Sequence, residues 1–204
     1  VNYPTYTESQ FSKFNKAVKL FERNSFKNLV KHCAATGAAL ASPKYHCDAV
    51  RVGIGLYGLW PSKELEVQLG GKIRLRPVLS WRAVVSEVKK AKRGSYIGYD
   101  LTERVPGDTK MAILPIGYWH GFPRALSGVG EVLLKGRRVR VLGRVSMDMT
   151  AVAAPACRSG DVATVIGRDG SEEITASEAA ARCGTIHYEF LTRLNPLMER
   201  VVVG

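Results

Sequence analysis

The chain has 204 residues, 30 Lys and Arg against 18 Asp and Glu, and a formal net charge of +12. That is room for one large or two small domains, and no apolar run approaches the roughly 18 residues that a membrane helix needs. Cys33, Cys47, Cys157 and Cys183 lie far apart, with no Cys-x-x-Cys and no zinc-type His pairing, a pattern of free thiols that predicts a reducing, cytoplasmic compartment and no metal.

The positive charge has two readings. The densest basic run, Lys89 to Arg93, is either a nucleic-acid contact or a solvated loop near a small anionic ligand. Basic residues are spread over the chain, aromatics are not interleaved with them, and no nucleic-acid motif accompanies them, which favours the second. No signal peptide is visible, and the chain opens on Val1-Asn2 without a methionine, as a processed, trimmed or excised polypeptide would.

In chain order, Thr7-Glu-Ser-Gln10 reads as a capping box. Phe11, Phe14, Val18 and Phe21 follow at helical spacing, with Asn24 as the stop, so residues 7–23 are expected to be an amphipathic helix with its aromatic stripe in the core. Leu29 to Ala35 and Asp48 to Ile54 read as short strands, with small residues, Ala34 to Leu40, between them. That is the rhythm of a parallel sheet, but two strands cannot close a barrel, so this piece looks like the tail of a larger α/β unit. Pro61 to Gly71, polar and glycine-bearing, reads as a linker.

Beyond it the texture changes. Residues 78–88 alternate, and 110–114, 130–135, 138–142, 150–154 and 161–166 are further strand candidates separated by Pro106-Gly, Lys135-Gly, Ser159-Gly and Asp169-Gly. This predicts an antiparallel β domain. Thr175-Ala-Ser-Glu178 is a second capping box, opening a helix over 176–182 that Gly184 ends. A closing strand is expected near 200–203.

Several residues carry chemical promise. Gly53-Ile-Gly-Leu-Tyr-Gly58 has the Gly-x-Gly-x-x-Gly form, but Trp60-Pro-Ser follows where a dinucleotide site needs a helix. The remaining use is a phosphate approached by backbone N–H groups at a strand end. Arg51 shares the strand face of Gly53. His32 is either structural or orients that guanidinium, and Thr36 is either an ordinary turn residue or a hydroxyl donor to a phosphate. Downstream, Ser95-Tyr-Ile-Gly-Tyr-Asp100, Leu114-Pro-Ile-Gly-Tyr-Trp-His-Gly121 and Gly143-Arg-Val-Ser-Met-Asp148 each deliver polar groups at a turn.

Taken in register, His32-Cys-Ala-Ala-Thr36, Arg51 to Gly58, Pro115-Ile-Gly-Tyr118, Gly143 to Met149 and Gly184-Thr-Ile-His-Tyr-Glu189 resemble the C-terminal part of bacterial alanine racemase. The resemblance runs from about Tyr6 to the end. It implies a partial TIM-type α/β barrel tail over 1–62 and a mainly antiparallel β domain over 63–204, with pyridoxal phosphate as cofactor. It also implies a homodimer whose active sites are shared between subunits. The implied roles are Tyr99 as catalytic base on the L face of the substrate, and Arg51, with His32 behind it, facing the pyridine nitrogen. Thr36, Gly53, Ile54 and Tyr188 fall on the phosphate site, Met147 and Tyr118 on the substrate end, and Arg144 and Asp148 on the entrance. The family's lysine that bonds the cofactor and its carboxylate-binding arginine belong to barrel segments outside this stretch. Activity is therefore expected only together with a missing N-terminal barrel part. Ala35 and His120 depart from the family's Asn and Asp. Alternatives are a racemase for another small amino acid such as serine, or a non-catalytic module for dimerisation or for binding an anionic ligand.

Overall fold

The computed structural model describes residues 3–154 and 156–203. They form two compact units that divide between Val78 and Leu79.

In the first unit, helix α1 spans Pro4–Arg23. It starts one turn before the expected Thr7, because Pro4 is pre-set for a first helical turn. Thr7 does not cap; its hydroxyl donates back to the Tyr3 carbonyl at 3.3 Å. Asn24 ends the helix as expected, its side chain bonding the Leu20 carbonyl at 2.8 Å. The aromatic stripe is only partly covered. Phe11 meets Tyr45 edge-on at 5.2 Å between ring centroids, but no residue of α1 is buried within the unit.

The two expected strands pair in parallel, but too briefly to form a ladder. Arg51 N–H donates to the Ala34 carbonyl at 2.8 Å, and the pairing reduces to a single bridge between Ala35 and Arg51. Helix α2 (Thr36–Ala41) follows the first segment. The expected linker is instead largely helix α3 (Lys63–Leu69). Ser62 caps it by accepting from Leu65 N–H at 3.3 Å, Glu64 and Glu66 favour its first turn, and Leu65 is buried.

The second unit is antiparallel. Its strands are β1 (Trp81–Val84), β2 (Glu87–Ala91), β3 (Tyr96–Ile97), β4 (Glu103–Arg104), β5 (Thr109–Leu114), β6 (Glu131–Leu134), β7 (Arg137–Leu142), β8 (Thr150–Ala153), β9 (Val162–Asp169) and β10 (Glu172–Ile174). The main sheet runs β1-β9-β6-β7-β8-β5-β2, with β10 on β9 and a separate β3-β4 hairpin. Val85 N–H bonds the Asp161 carbonyl, whereas the next residue, Ser86, bonds that of Ile113. The chain thus steps from one edge of the sheet to the other within two residues, so the sheet curls round its core, removing most of its open edge. Val85, Ala112, Leu114, Val132, Leu133, Val141, Val152, Ala163 and Phe190 fill that core.

The expected single run over 78–88 is therefore two strands split at Val85. The basic run is not a loop throughout: Lys89 and Lys90 sit on β2, a sheet edge, where lysines discourage pairing with other chains. Helix α4 (Ala176–Arg182) is capped by Thr175 as expected, at 3.1 Å from Glu178 N–H. Helix α5 (His187–Thr192) follows. Residues 200–203 join no strand among the described residues; Val201 to Val203 lack an apolar surface to alternate against and stand exposed.

Candidate active site

Two clusters emerge, one in each unit. In the first, the parallel pairing places Arg51 beside the end of the neighbouring segment. Its Nη1 lies 2.9 Å from His32 Nδ1 and 3.2 Å from the His32 carbonyl, and Nη2 is 3.4 Å from the Cys33 carbonyl. An arginine only donates, so Nδ1 accepts and the imidazole proton sits on Nε2. Thr36, buried at the start of α2, receives Gly53 N–H at 3.1 Å and Gly55 N–H at 3.4 Å on its hydroxyl oxygen. The hydroxyl's own proton has no acceptor among the described residues. In front of Gly53 there is open space: a Cβ there would meet no atom within 4 Å. A buried hydroxyl with a proton left to donate, the open side of Gly53 and the guanidinium of Arg51 on the paired segment fit the phosphate and ring nitrogen of pyridoxal phosphate. Ile54 buries its side chain and starts the turn Ile54–Tyr57.

In the second unit, three turns converge. Tyr99 opens a turn (Tyr99–Leu101) after Gly98, whose φ of 77° and ψ of −166° lie in a region only glycine occupies without strain. Tyr99 is two-thirds exposed, at 67%. Tyr118 heads a second turn (Tyr118–His120). Tyr118 N–H bonds the Ser146 carbonyl at 3.1 Å and Trp119 N–H that of Met147 at 2.9 Å. This contact needs Gly117, because a Cβ there would run into the Ser146 and Met147 carbonyls. The third turn is closed by Ser146, whose hydroxyl donates to the Met149 carbonyl at 2.7 Å. Met147 and Asp148 are exposed on it, and their N–H groups find no acceptor among the described residues. Tyr99, Arg144 and Ser146 line one cleft of about 360 Å³ floored by Met111, Ile113 and Leu142. Tyr118, Met147 and Asp148 stand outside that lining, tied to it through Ser146.

His120 has a structural job. Its Nδ1 accepts Gly117 N–H at 3.2 Å, closing the Tyr118 turn. Tyr188 lies on α5, and burial pushes its phenol above the ordinary value, so it stays a hydroxyl donor at neutral pH. Sequence reasoning missed Asp100 and Arg124. Asp100 Oδ2 is 3.4 Å from Arg144 Nε and 3.5 Å from Arg124 Nη2. It also missed Asn195, which holds the Trp119 carbonyl at 2.9 Å. Exposed polar residues in turns carry no periodic signal, and only the adjacency of Asp100 to Tyr99 hinted at a role.

Among the described residues no helix is long and apolar enough to cross a membrane.

Comparison with known proteins covers both units. The family model "Alanine racemase, C-terminal domain" matches residues 78–202, and "Alanine racemase, N-terminal domain" matches residues 2–61. A curated alanine racemase of Leptospira interrogans is 38% identical over 97% of this chain and 53% of its own length. One from Desulforamulus reducens is 38% identical over 98% and 53%. The crystal structure of alanine racemase from Bacillus anthracis with bound L-Ala-P superposes with a TM-score of 0.89 at 35% identity, covering 94% of this chain and 49% of that one. The alanine racemase of D-cycloserine-producing Streptomyces lavendulae gives 0.86 at 35%, covering 96% and 51%. The chain spans about half the length of the curated relatives it matches.

Proposed function

The chain belongs to the alanine racemase family, and from that premise we propose that it supplies the tyrosine-base half of a pyridoxal-phosphate site that interconverts L- and D-alanine. The observation that carries this reading is the convergence of Tyr99, Arg144 and Ser146 on one cleft, with the Tyr118 turn bonded to the Ser146–Met147 backbone.

Bound pyridoxal phosphate supplies the electron withdrawal that makes the α-proton of an amino acid removable. The chain's own residues do the rest. Thr36 and the Gly53 and Ile54 backbone hold the phosphate. Arg51, braced by His32, presents a permanent cation to the ring nitrogen. An arginine can donate a hydrogen bond there but does not transfer its proton, so the ring nitrogen stays unprotonated, which limits the electron withdrawal and discourages side reactions such as transamination. Met147 N–H receives the substrate carboxylate and Tyr118 closes the substrate end. Tyr99 moves the α-proton on the L face at its hydroxyl oxygen. Arg144 and Asp148 border the way in.

The family's cofactor-bonding lysine lies outside residues 1–204, so this stretch is proposed to work with a barrel segment that carries it. Following the family, Tyr99 acts in the site of a dimer partner. The test is reconstitution: the chain, a family barrel segment and pyridoxal phosphate, assayed for racemisation of L-alanine and of L-serine. Turnover of alanine supports the reading; preferential turnover of serine would reassign the substrate. A folded, cofactor-loaded complex without racemisation would leave the chain as a non-catalytic module.

A further inference from the structure

Asp100 and Leu101, directly after Tyr99, are consecutive non-glycine residues at positive φ, 63° and 50°. Asp tolerates that region and Leu does not, so such a turn persists only where its surroundings fix it. Among the described residues, the side chains of 99–101 make two polar ties, both from Asp100 Oδ2: 3.4 Å to Arg144 Nε and 3.5 Å to Arg124 Nη2.

The two arginines form a fork built without Asp100. Ser127 Oγ donates to the Arg124 carbonyl at 2.5 Å and receives Val145 N–H, next to Arg144, at 3.0 Å. Leu126 is buried beneath that turn. On the other side, the absent side chain of Gly98 lets its backbone approach Arg144; a Cβ there would stand 3.1 Å from Arg144 N.

We propose that Asp100 is a positioning residue that docks the Tyr99 turn onto the Arg124–Arg144 fork and offsets one of that fork's two positive charges. The functional consequence rests on the reading of Tyr99 as the base; the docking itself does not.

The test is Asp100→Asn, which keeps the shape and the tolerance of positive φ while removing the charge. In the 204-residue chain, amide exchange at residues 99–102 should rise about two- to fivefold, the range an exposed ion pair supports. Wild-type exchange should rise similarly in about 1 M salt, and the variant should not respond further. Exchange at Ala112 and Val152 should be unchanged. Asp100→Gly, which relieves the backbone but removes both ties, should loosen the turn as much. In the reconstituted enzyme, Asp100→Asn should lower kcat for alanine with KM little altered. Exchange at 99–102 equal in variant and wild type, with the same salt response, would overturn the proposal. A wild-type complex without turnover would instead remove the racemase reading and leave the exchange result standing.

Discussion

Arg51 spends three donated bonds on one short segment: to His32 Nδ1 at 2.9 Å and to the carbonyl oxygens of His32 and Cys33. The guanidinium is thereby fixed before any ligand arrives, and fixing a group in advance lowers the cost of binding. His32→Ala should weaken pyridoxal phosphate binding about three- to tenfold, the worth of one such hydrogen bond, as read by titrating cofactor fluorescence in the reconstituted enzyme. His32→Asn, which keeps an acceptor, should recover part of it. Unchanged affinity in the alanine variant would mean that the two carbonyls suffice.

Thr36 offers a cleaner test of folding. Thr36→Val preserves the shape but strands the N–H groups of Gly53 and Gly55, which now meet its oxygen. The expected loss is about 1–3 kcal/mol in urea unfolding, with Thr36→Ser close to wild type. Equal stability of the valine variant would show that solvent takes over both donors.

Gly117 should tolerate no side chain. A Cβ there collides with the Ser146 and Met147 carbonyls, and backbone cannot move aside as a side-chain tip can. Gly117→Ala should destabilise the β domain by about 2 kcal/mol or more and detach the Tyr118 turn. Gly71→Ala, where a Cβ meets nothing within 4 Å, is the control and should stay within about 0.5 kcal/mol of wild type.

Acid stability should depend on Glu103 and Glu178. Arg140 holds Glu103 below the ordinary carboxylate value through bonds of 3.0 and 2.6 Å. Arg138, then Arg182, does the same for Glu178. A depressed folded-state pKa stabilises above the unfolded value, near 4.5, and that contribution fades as pH falls through the folded value. Glu103→Gln and Glu178→Gln should each cost about 1 kcal/mol or less at about pH 7, and the difference from wild type should shrink as the pH is lowered below the unfolded value. A difference that does not shrink on acidification would contradict this assignment.

What the sequence made legible follows from which signals are local. The β domain announced itself through alternation and turn dipeptides, and α4 through Thr175 and Gly184, because those cues sit within a few residues of the structure they specify. Helix α3 was hidden because Ser62 and Glu64 also suit a polar linker; only the burial of Leu65 decides, and burial is tertiary. The strand expected at 200–203 failed for a related reason: Val201 to Val203 have β-type side chains, but no described neighbour offers them a ladder. The chemistry-bearing turns at Tyr99, Tyr118 and Met147 were readable only as motifs. Their convergence depends on Gly98 and Gly117 letting backbones touch across positions far apart in the chain. Asp100 was invisible because its importance lies in two arginines from other loops.

The most direct test of the central claim is isotope exchange in the reconstituted enzyme with Tyr99→Phe. A base acting only on the L face serves one enantiomer. In heavy water the variant should stop incorporating deuterium at the α-carbon of L-alanine, by a factor of about 10²–10⁴, while D-alanine still exchanges. Loss of exchange from both enantiomers alike, or from neither, would contradict the assignment of Tyr99 as the L-face base.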